Sequence, residues 1–522
     1  MSGFVVSVYL RKEMKLELTE LCSVFKELLK IENVIEAPQK LLQVLFSCKN
    51  DFFDEWISNF PDLSTDNLQP IFQYYMADRK EKMQDYTPKT LARMCVKIAG
   101  VENAKSCYDM CAGSGALTIQ AWQLNSKCQF VCEEFDERVI PFLLCNLAMR
   151  NMSAVVIHSD VIKGEKMKAY KLTPTDKYSN IEEVKPPRSI HTDVCISNPP
   201  YNIKWTPEPF IALDERYVNF GVPPSSNANY AFVLTALNTA KSSCLILPCG
   251  VLSPSTTAEI GIVEQIVKAN KLNAVVINPD GMFEATSIGT CLFYIRNDKT
   301  DTMTAFVDMR NTYTEETRAQ KGQFGGASHT NRIYTKSVKT FSDEQIEKAL
   351  TAVKQRTAQA EFSKSASIED IKSSGYKLAP SIFIEFVYKM PSHRSYGDIL
   401  SDINRVRNEQ NCCKLVINET LAKRLGFDTE LYSREQNDKN FNDLLFKLTG
   451  EKLKKTDYVQ FTKNKNEFTF KNNSSDAVSS ILVSIMSIWK QHIMYLNNEE
   501  NRYLAEMRDA LLPDLMSGNI SI

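Results

Sequence analysis

Residues 108–117 read Tyr108-Asp109-Met110-Cys111-Ala112-Gly113-Ser114-Gly115-Ala116-Leu117, and this stretch decides the fold. It continues an apolar run that begins at Ser106 and therefore lies at the end of a predicted strand. Gly113 and Gly115 let the backbone turn sharply and approach a ligand closely, and a helical pattern starts at Ala116. Two glycines alone are more typical of an ordinary tight turn than of a cofactor loop, so the surrounding chain has to decide between the two interpretations.

Apolar runs of strand length alternate with helical segments from residue 106 onwards. This alternation predicts an α/β fold with a Rossmann-like, mainly parallel sheet that is covered by helices on both faces. The predicted strands are Ser106–Met110, Gln129–Cys132, Val155–His158, Asp193–Ser197, Ser243–Pro248, Ala274–Ile277 and Cys291–Arg296.

The chain has 522 residues, which is longer than a single core usually grows, so two or three domains are expected. Helical spacing of apolar residues precedes the sheet, and mixed patterns follow it. The predicted parts are an N-terminal helical region (1–80), the α/β domain (81–385), a small mixed domain (386–474) and a long helix (475–522).

Four segments outside the predicted sheet carry predictions of their own. Lys163–His191, rich in Lys and Pro, is predicted to be a surface excursion, and Asn311–Arg332, with three glycines, is predicted to be a loop. Residues 458–470 predict a hairpin that turns around Lys463–Asn466. Apolar residues spaced three and four apart from Ser475 to Leu512 indicate a long helix with a coiled-coil-like seam. Its seam residues are Leu482, Ile485, Trp489, Ile493, Leu496, Tyr503 and Met507.

Composition and charge exclude several classes of protein. The 14 cysteines show no paired spacing, so reduced thiols are expected, and the five histidines show no ligand spacing, so no metal site is expected. No window reaches the roughly 18 apolar residues of a membrane span, and the N-terminus lacks the pattern of a signal peptide, so we expect a cytoplasmic protein. A net charge of -1 requires any DNA-binding charge to be concentrated locally or supplied by a partner.

An acidic residue follows the second predicted strand. That strand ends at Cys132, and Glu134 stands about twenty residues after the glycine loop, where a carboxylate can accept hydrogen bonds from ribose hydroxyls. The loop lacks the GxGxxG spacing of a pyrophosphate cradle. A nucleoside ligand therefore fits the pattern better than a dinucleotide.

The tetrapeptide Asn198-Pro199-Pro200-Tyr201 directly follows the apolar strand that ends at Ser197. Two consecutive prolines hold an extended backbone and donate no hydrogen bond, so the turn presents bare carbonyls between an amide and an aromatic ring. In isolation this is a common loop. At the carboxyl end of a central strand in an open sheet, where ligands bind, it is a candidate catalytic site.

Taken in order, Asp109–Gly115, Glu134 and Asn198–Tyr201 resemble the motifs of amino-methylating DNA methyltransferases. More specifically, the chain resembles the modification subunit of type I restriction-modification systems over roughly residues 70 to 385. The resemblance extends to Tyr86-Thr87-Pro88, Asn146–Asn151, Asp160, Leu245–Leu252, Pro279–Phe283, Thr286–Cys291 and Gly375–Ser381.

The resemblance implies a methyltransferase fold and S-adenosyl-L-methionine as the cofactor. It places Glu134 at the cofactor's ribose, Asp160 beside its adenine amine, and the remaining residues around its methionine part. The implied cofactor-binding residues are Tyr86, Thr87, Pro88, Asp109, Ala112, Gly113, Gly115, Glu134 and Asp160.

The implied reaction is methylation of the N6 amine of adenine in double-stranded DNA. The Asn198 side-chain oxygen and the Pro199 carbonyl can each accept one N–H of that amine, which positions it without a covalent intermediate. The base has to be flipped out of the duplex, and Tyr201 and Phe283 are the predicted stacking partners on its two faces. The choice of adenine N6 over cytosine N4 as the methylated amine rests on the resemblance alone. Methylation of a glutamine amide or a ribosomal RNA guanine, and a catalytically inactive scaffold, are the alternatives.

The C-terminal part departs from the family. Arg502–Gly518 resembles the end of a type I specificity subunit, which implies docking to a specificity subunit, while a self-dimerising coiled coil and a plain helical hairpin are the alternatives. The N-terminal region is also shorter than that family's. A lysine-rich stretch with interleaved aromatic residues is a candidate DNA contact, although a solvated surface explains it equally well. Its lysines are Lys452, Lys454, Lys455, Lys463 and Lys465.

Overall fold

The computed structural model divides into two compact units, Met1–Val387 and Tyr388–Ile522. The finer boundaries at residues 80 and 474 stay predictions. No helix in the described part of the chain is long and apolar enough to cross a membrane. The structure describes residues 18–47, 49–76, 87–283, 288–321, 333–386, 393–425, 446, 459–461, 468–470 and 495–516.

The first unit is built on a large sheet. Its strands are β1 (Ser106–Asp109), β2 (Gln129–Glu134), β3 (Ala154–Asp160), β4 (Glu165–Thr173), β5 (Asn180–Val184), β6 (Thr192–Ser197), β7 (Ala240–Pro248), β8 (Leu272–Ile277), β9 (Thr290–Arg296), β10 (Thr304–Asp308), β11 (Thr314–Lys321), β12 (Ile333–Thr340) and β13 (Ser363–Ala366). Within the described residues, eleven of them form one sheet in the order β13-β10-β8-β9-β7-β6-β1-β2-β3-β4-β5.

The centre of this sheet is parallel, as the sequence predicts. β3, β2, β1, β6 and β7 are parallel neighbours, and β8 is parallel to β10. β9 runs antiparallel between β7 and β8. All seven strands predicted from the sequence are present, so the predicted α/β fold is confirmed.

Helices cover both faces of the sheet. Successive residues of β7 show this directly, because Cys244 and Ile246 belong to one apolar core while Leu245 and Leu247 belong to the other. The helices of this unit are α1 (Leu18–Leu29), α2 (Ala37–Ser47), α3 (Lys49–Asn59), α4 (Gln69–Tyr75), α5 (Lys89–Ala99), α6 (Ala116–Leu124), α7 (Ile140–Met149), α8 (Asn229–Thr239), α9 (Thr257–Lys268), α10 (Asp343–Gln355) and α11 (Ile368–Ser373).

The N-terminal helices share one of these cores with the sheet. Phe142 of α7 is fully buried, and its ring centroid lies 5.7 Å from that of Phe25 in α1 and 5.4 Å from that of Phe72 in α4. Residues from α1 to α4 therefore pack into the same apolar cluster as residues of the sheet.

Two segments differ from the predictions. Lys163–His191 is not a plain surface excursion, because about half of it forms β4 and β5, which extend the sheet beyond β3. The lysines of this segment obscure the apolar pattern by which a strand is predicted. Ala169 and Leu172 are buried, while Lys171 lies at an exposed position between them. The prediction of a loop over Asn311–Arg332 is wrong for Thr314–Lys321. These residues form strand β11, which pairs with β12.

The second unit contains α12 (Tyr396–Leu425), β14 (Val459–Phe461), β15 (Phe468–Phe470) and α13 (Asn497–Met516). β14 pairs antiparallel with β15, with Phe461 opposite Phe468, so the predicted hairpin is confirmed over these residues.

The predicted helical seam is described only in its last part. Leu496 and Tyr503 are buried in a cluster that includes Ile399 and Ile403 of α12, and Met507 packs against it. These contacts are those of a helical pair within the chain, one of the alternatives for this segment. The other predicted seam residues, Leu482, Ile485, Trp489 and Ile493, lie outside the described residues.

Replacing Phe142 by alanine should reduce the free energy of unfolding by about 3–5 kcal/mol, because it opens a cavity between the N-terminal helices and the sheet. Phe46→Ala, at a side chain that is 51% exposed, is the matched control and should cost about 1 kcal/mol or less. Chemical denaturation followed by circular dichroism measures both. Equal losses would show that the two regions do not share a core.

Candidate active site

Four neighbouring strands bring the predicted polar residues to one edge of the sheet. β6, β1, β2 and β3 are consecutive and parallel, so their carboxyl ends lie at the same edge. Asp109, Glu134 and Asp160 are the last residues of β1, β2 and β3, and Asn198 directly follows β6. Ligands bind at this edge of open parallel sheets.

The glycine loop lies between β1 and α6 and is tied to the end of β2. Gly113, with φ 56°, donates its N–H to Glu134 Oε2 at 2.8 Å. Gly115, with φ 104°, donates its N–H to the Ala112 carbonyl at 2.8 Å. A Cβ atom on Gly115 would stand 3.1 Å from Leu143 Cδ1, so both backbone geometry and packing favour glycine there.

The Glu134 carboxylate is held by backbone groups on both oxygens. Oε2 accepts from Gly113 and Oε1 accepts from the Asp136 N–H, each at 2.8 Å. Burial raises the pKa of Glu134 despite these two hydrogen bonds. A carboxylate has about four acceptor positions, so further lone pairs remain for hydroxyl donors of a ligand.

Asp109 is deeply buried at this edge, with 2% of its surface exposed. Its Oδ2 accepts from the Thr118 hydroxyl at 2.8 Å, whereas its Oδ1 makes no hydrogen bond of good geometry. Burial raises the pKa of Asp109 to about 7, and the Thr118 hydroxyl and the Cys111 backbone oppose that rise. A buried acceptor of this kind suits a ligand that carries a cationic donor.

Asp160 organises the loop after β3. Its Oδ1 accepts from the backbone N–H groups of Ile162 and Lys163, each at 3.1 Å, and its carbonyl accepts from the Gly164 N–H at 2.8 Å. Asp160 is half-buried.

The Asn198 side chain is hydrogen-bonded at both ends of its amide. Its Nδ2 donates to Thr87 Oγ1 at 3.0 Å, and its Oδ1 accepts from the Tyr201 hydroxyl at 2.5 Å. Thr87 belongs to the turn before α5, so the predicted Thr87-Pro88 turn does lie beside the candidate catalytic turn. Tyr86 and the five candidate lysines, Lys452, Lys454, Lys455, Lys463 and Lys465, lie outside the described residues.

The candidate catalytic turn is also fixed where it ends. Pro199 is buried and Pro200 is half-buried, and the next residues lead into Asn202, which has a positive φ of 54°. The Asn202 N–H donates to Asn229 Oδ1 at 3.0 Å, and Asn229 Nδ2 donates to Asn202 Oδ1 at 2.8 Å. This reciprocal pair ties the turn to the first residue of α8.

The two predicted stacking residues contact each other. The ring centroids of Tyr201 and Phe283 are 6.4 Å apart, with an interplanar angle of 81°. Both side chains are buried, at 6% and 2% exposure. This edge-to-face arrangement leaves no slot for a base between the two rings, so stacking on both faces would require them to separate.

Sequence reasoning missed a buried polar network beneath the glycine loop. Asp66 Oδ2 accepts from the Ser114 hydroxyl at 2.6 Å, and Asp66 Oδ1 accepts from Asn146 Nδ2 at 2.8 Å. Asp66 Oδ1 also accepts from the backbone N–H groups of Leu68 and Gln69. The last two contacts follow the sequence pattern of a helix N-cap, but nothing in the sequence points to Ser114 or Asn146.

Arg150 completes this network from α7's C-terminal end. Its guanidinium donates to the Asn146 side chain and carbonyl and to the carbonyls of Leu63 and Thr65, at 2.7–3.0 Å. Burial lowers the pKa of Arg150 to about 10, and the charge of Asp66 opposes that fall. The loop before α4 is therefore held against the glycine loop by a hydrogen-bonded, charge-compensated cluster.

The fold resembles that of a solved methyltransferase subunit. It matches the crystal structure of the type I restriction-modification system methyltransferase subunit from Streptococcus thermophilus with a TM-score of 0.50 and 20% identity, covering 69% of this chain and 80% of that chain. The N-6 DNA Methylase family model matches residues 62–388, which is more than half of the chain. The protein belongs to the N-6 DNA methylase family.

Two relatives extend the comparison. The chain is 25% identical over 381 residues to the Type I restriction enzyme MpnII methylase subunit of Mycoplasma pneumoniae, covering 69% of this chain and 65% of that protein. It is 24% identical over 385 residues to the Type I restriction enzyme HindI methylase subunit of Haemophilus influenzae, covering 69% and 78%. The matched part thus spans just under two thirds of the length of the Mycoplasma relative.

Replacing Asp66 by alanine should lower the free energy of unfolding by about 3–5 kcal/mol. The change removes the acceptor of four buried or half-buried donors and the largest of the charges that stabilise the buried Arg150 guanidinium. Asp62→Ala is the matched control. Asp62 lies in the same loop and caps the Ser64 N–H at an exposed position, so its loss should cost about 1 kcal/mol. Urea denaturation of both variants measures the difference, and similar losses would contradict the network's importance.

Proposed function

We propose that this protein transfers a methyl group from S-adenosylmethionine to the N6 amine of adenine in DNA, as the modification component of a type I-like restriction-modification system. The observation that supports this most is the position of the Asn198–Tyr201 turn. It stands at the end of β6, next to the glycine loop at the end of β1, in a chain of the N-6 DNA methylase family.

The residues at the sheet edge fit S-adenosylmethionine. The buried Asp109 Oδ1, which lacks a hydrogen bond of good geometry, suits the ammonium group of the cofactor's methionine part. The remaining acceptor positions of Glu134 suit ribose hydroxyls, and Asp160 suits the adenine amine. Thr87, Pro88, Ala112, Gly113 and Gly115 complete the proposed site, together with Tyr86. When bound, the cofactor supplies an electrophilic methyl group on a sulfonium centre.

The catalytic work of the chain is to position the amine that is methylated. In the proposed complex, Asn198 Oδ1 and the Pro199 carbonyl each accept one N–H of that amine, which localises and aims its lone pair. Asn198 Oδ1 accepts from the Tyr201 hydroxyl in this structure. The target amine would therefore replace that hydroxyl, one donor for another, so the buried oxygen is never left without a hydrogen bond.

The same exchange would free the Tyr201 ring for stacking. A flipped base needs an aromatic surface, and stacking contributes about 1–3 kcal/mol per base. Release of the Tyr201 hydroxyl and separation of the ring from Phe283 are then two parts of one rearrangement, which the arriving base drives. Pro200 holds the backbone of the turn during this rearrangement, since its φ is fixed by its own pyrrolidine ring.

Recognition of a DNA sequence is proposed to come mainly from a separate specificity subunit. The near-neutral net charge of -1 leaves little long-range attraction for DNA in this chain alone. The C-terminal helix is the proposed docking element, with Lys452, Lys454, Lys455, Lys463 and Lys465 as added phosphate contacts. A DNA substrate also places the protein in the cytoplasm.

The test is genome-wide mapping of modified bases in cells with and without the gene for this protein. Loss of N6-methyladenine at one recognition sequence is the expected result. Loss of N4-methylcytosine instead would show that the target base is cytosine rather than adenine. Unchanged DNA methylation together with lost methylation of a protein or of ribosomal RNA would overturn the proposal.

Asn198→Ala should reduce methylation in this assay to background, because it removes the side-chain carbonyl that is proposed to accept from the target amine. The cofactor dissociation constant, measured by calorimetry, should change less than about twofold, because Asn198 is proposed to bind the target amine and reaches the proposed cofactor site only through its hydrogen bond to Thr87. Asn180→Ala, at an exposed position in β5, is the matched control and should keep full activity. Substantial methylation by Asn198→Ala would contradict the mechanism.

The affinity for S-adenosylmethionine should fall as the pH decreases through about 7, the raised pKa of Asp109. Below that pKa the carboxyl is neutral and offers the ammonium group no charge. At about pH 6 only roughly a tenth of the group is ionised, so the dissociation constant should be about tenfold larger than at about pH 8. Calorimetry of Asp109→Asn should show weak binding without this dependence; an unchanged pH profile would exclude Asp109 as its source.

A further inference from the structure

Thr87 occupies an unexpected place for a residue assigned by resemblance to cofactor binding. It is 6% exposed, and its hydroxyl accepts from Asn198 Nδ2 at 3.0 Å, across 111 positions of the chain. It therefore contacts the side chain that is proposed to hold the target amine. Its own position decides where that side chain points.

Asn198 can act only when its amide oxygen faces the amine. An asparagine amide has an acceptor end and a donor end, and a half-turn about its last bond exchanges them. With Nδ2 toward the amine, two donors would face each other and the lone pair would not be aimed. The Thr87 hydroxyl accepts from Nδ2, and this contact fixes the place of the amide with Oδ1 at the end away from Thr87. A hydroxyl can donate as well as accept, so Thr87 acts by fixing the position of the amide.

The need for this partner increases when the target base arrives. In the structure the Tyr201 hydroxyl holds the other end of the amide, because it donates to Oδ1. In the proposed mechanism the target amine replaces that hydroxyl. The contact from Thr87 then keeps the amide oriented during the exchange.

The support behind Thr87 is rigid. Thr87 is followed by Pro88 and α5, whose Leu91 and Ala92 are fully buried. Cys95 of α5 donates its thiol to the Cys244 carbonyl of β7 at 3.3 Å. β7 pairs directly with β6, the strand that leads into Asn198. Both partners of the Thr87–Asn198 hydrogen bond are thus anchored on neighbouring strands.

We propose that Thr87 is a positioning residue, which holds the Asn198 amide oxygen toward the target amine. This inference rests on the proposed function. It changes the role of Thr87 from cofactor contact to orientation of the catalytic turn, and the two roles predict different kinetics. Loss of a cofactor contact raises the KM for S-adenosylmethionine, whereas loss of orientation lowers kcat at saturating cofactor.

The decisive pair of variants is Thr87→Val and Thr87→Ser. Valine keeps the shape and removes the hydroxyl, and serine keeps the hydroxyl. Thr87→Val should lower kcat by about 10- to 100-fold with the cofactor dissociation constant changed less than about twofold, and Thr87→Ser should recover kcat to within about threefold of the wild-type protein. The assay uses the full chain, with its specificity subunit if required, and unmethylated genomic DNA.

Thr90→Val, three residues further along in the first turn of α5, is the matched control for hydroxyl loss. The Thr90 hydroxyl accepts from the Phe341 N–H at 3.3 Å, so this variant removes a comparable hydrogen bond and should keep kcat. Weakened cofactor binding with normal kcat in Thr87→Val would overturn the proposal. So would failure of Thr87→Ser to recover kcat while its thermal stability equals that of the wild-type protein.

A measurement without catalysis separates this proposal from the proposed function. In protein with nitrogen-labelled asparagine, the side-chain amide resonance of Asn198, assigned through Asn198→Asp, should shift in Thr87→Val and return in Thr87→Ser. If that pattern appears while the wild-type protein methylates no DNA, the proposed function fails and the positioning role stands. An unshifted resonance in Thr87→Val would overturn the positioning role whatever the substrate is.

Discussion

The parallel pairing of β1 with β2 and with β6 is the constraint on which the candidate site depends. Parallel neighbouring strands end at the same edge of the sheet, and each of these strands leads directly into a segment of the candidate site. Asp109 ends β1, Glu134 ends β2, and Asn198 follows β6. Backbone hydrogen bonds within the sheet therefore set the positions of the proposed cofactor contacts and the proposed catalytic amide together, with no flexible connection between them.

The strand ends could be predicted from the sequence because each is a local pattern. An apolar run followed by glycine, acid or proline marks a strand and the loop after it, and the seven predicted strands were correct for this reason. The network around Asp66 could not be predicted in the same way. Its partners Ser114 and Asn146 lie 48 and 80 positions away, and their pairing arises only when the N-terminal helices pack on the sheet.

The two incorrect predictions have a common physical cause. β4 and β11 are rich in charged and polar residues, which sequence patterns associate with loops. Backbone pairing stabilises such strands when one neighbour offers partners along nearly its whole length, as β3 does for β4 apart from one shift of register between His158 and Ser159. Side-chain polarity then reports only which face is exposed, as at Lys171 beside Leu172.

The shared core around Phe142 and the contacts of Asp66 have a consequence for how this protein can be recombined with its relatives. A hybrid joined near residue 80 would combine helices and a sheet whose buried aromatic rings and paired charges were selected in different chains. A hybrid joined near Val387, where the two compact units meet along the chain, would leave both sets intact. Exchanges of segments between relatives should therefore have their junction after the sheet, and the N-terminal helices should be exchanged together with the sheet rather than separately.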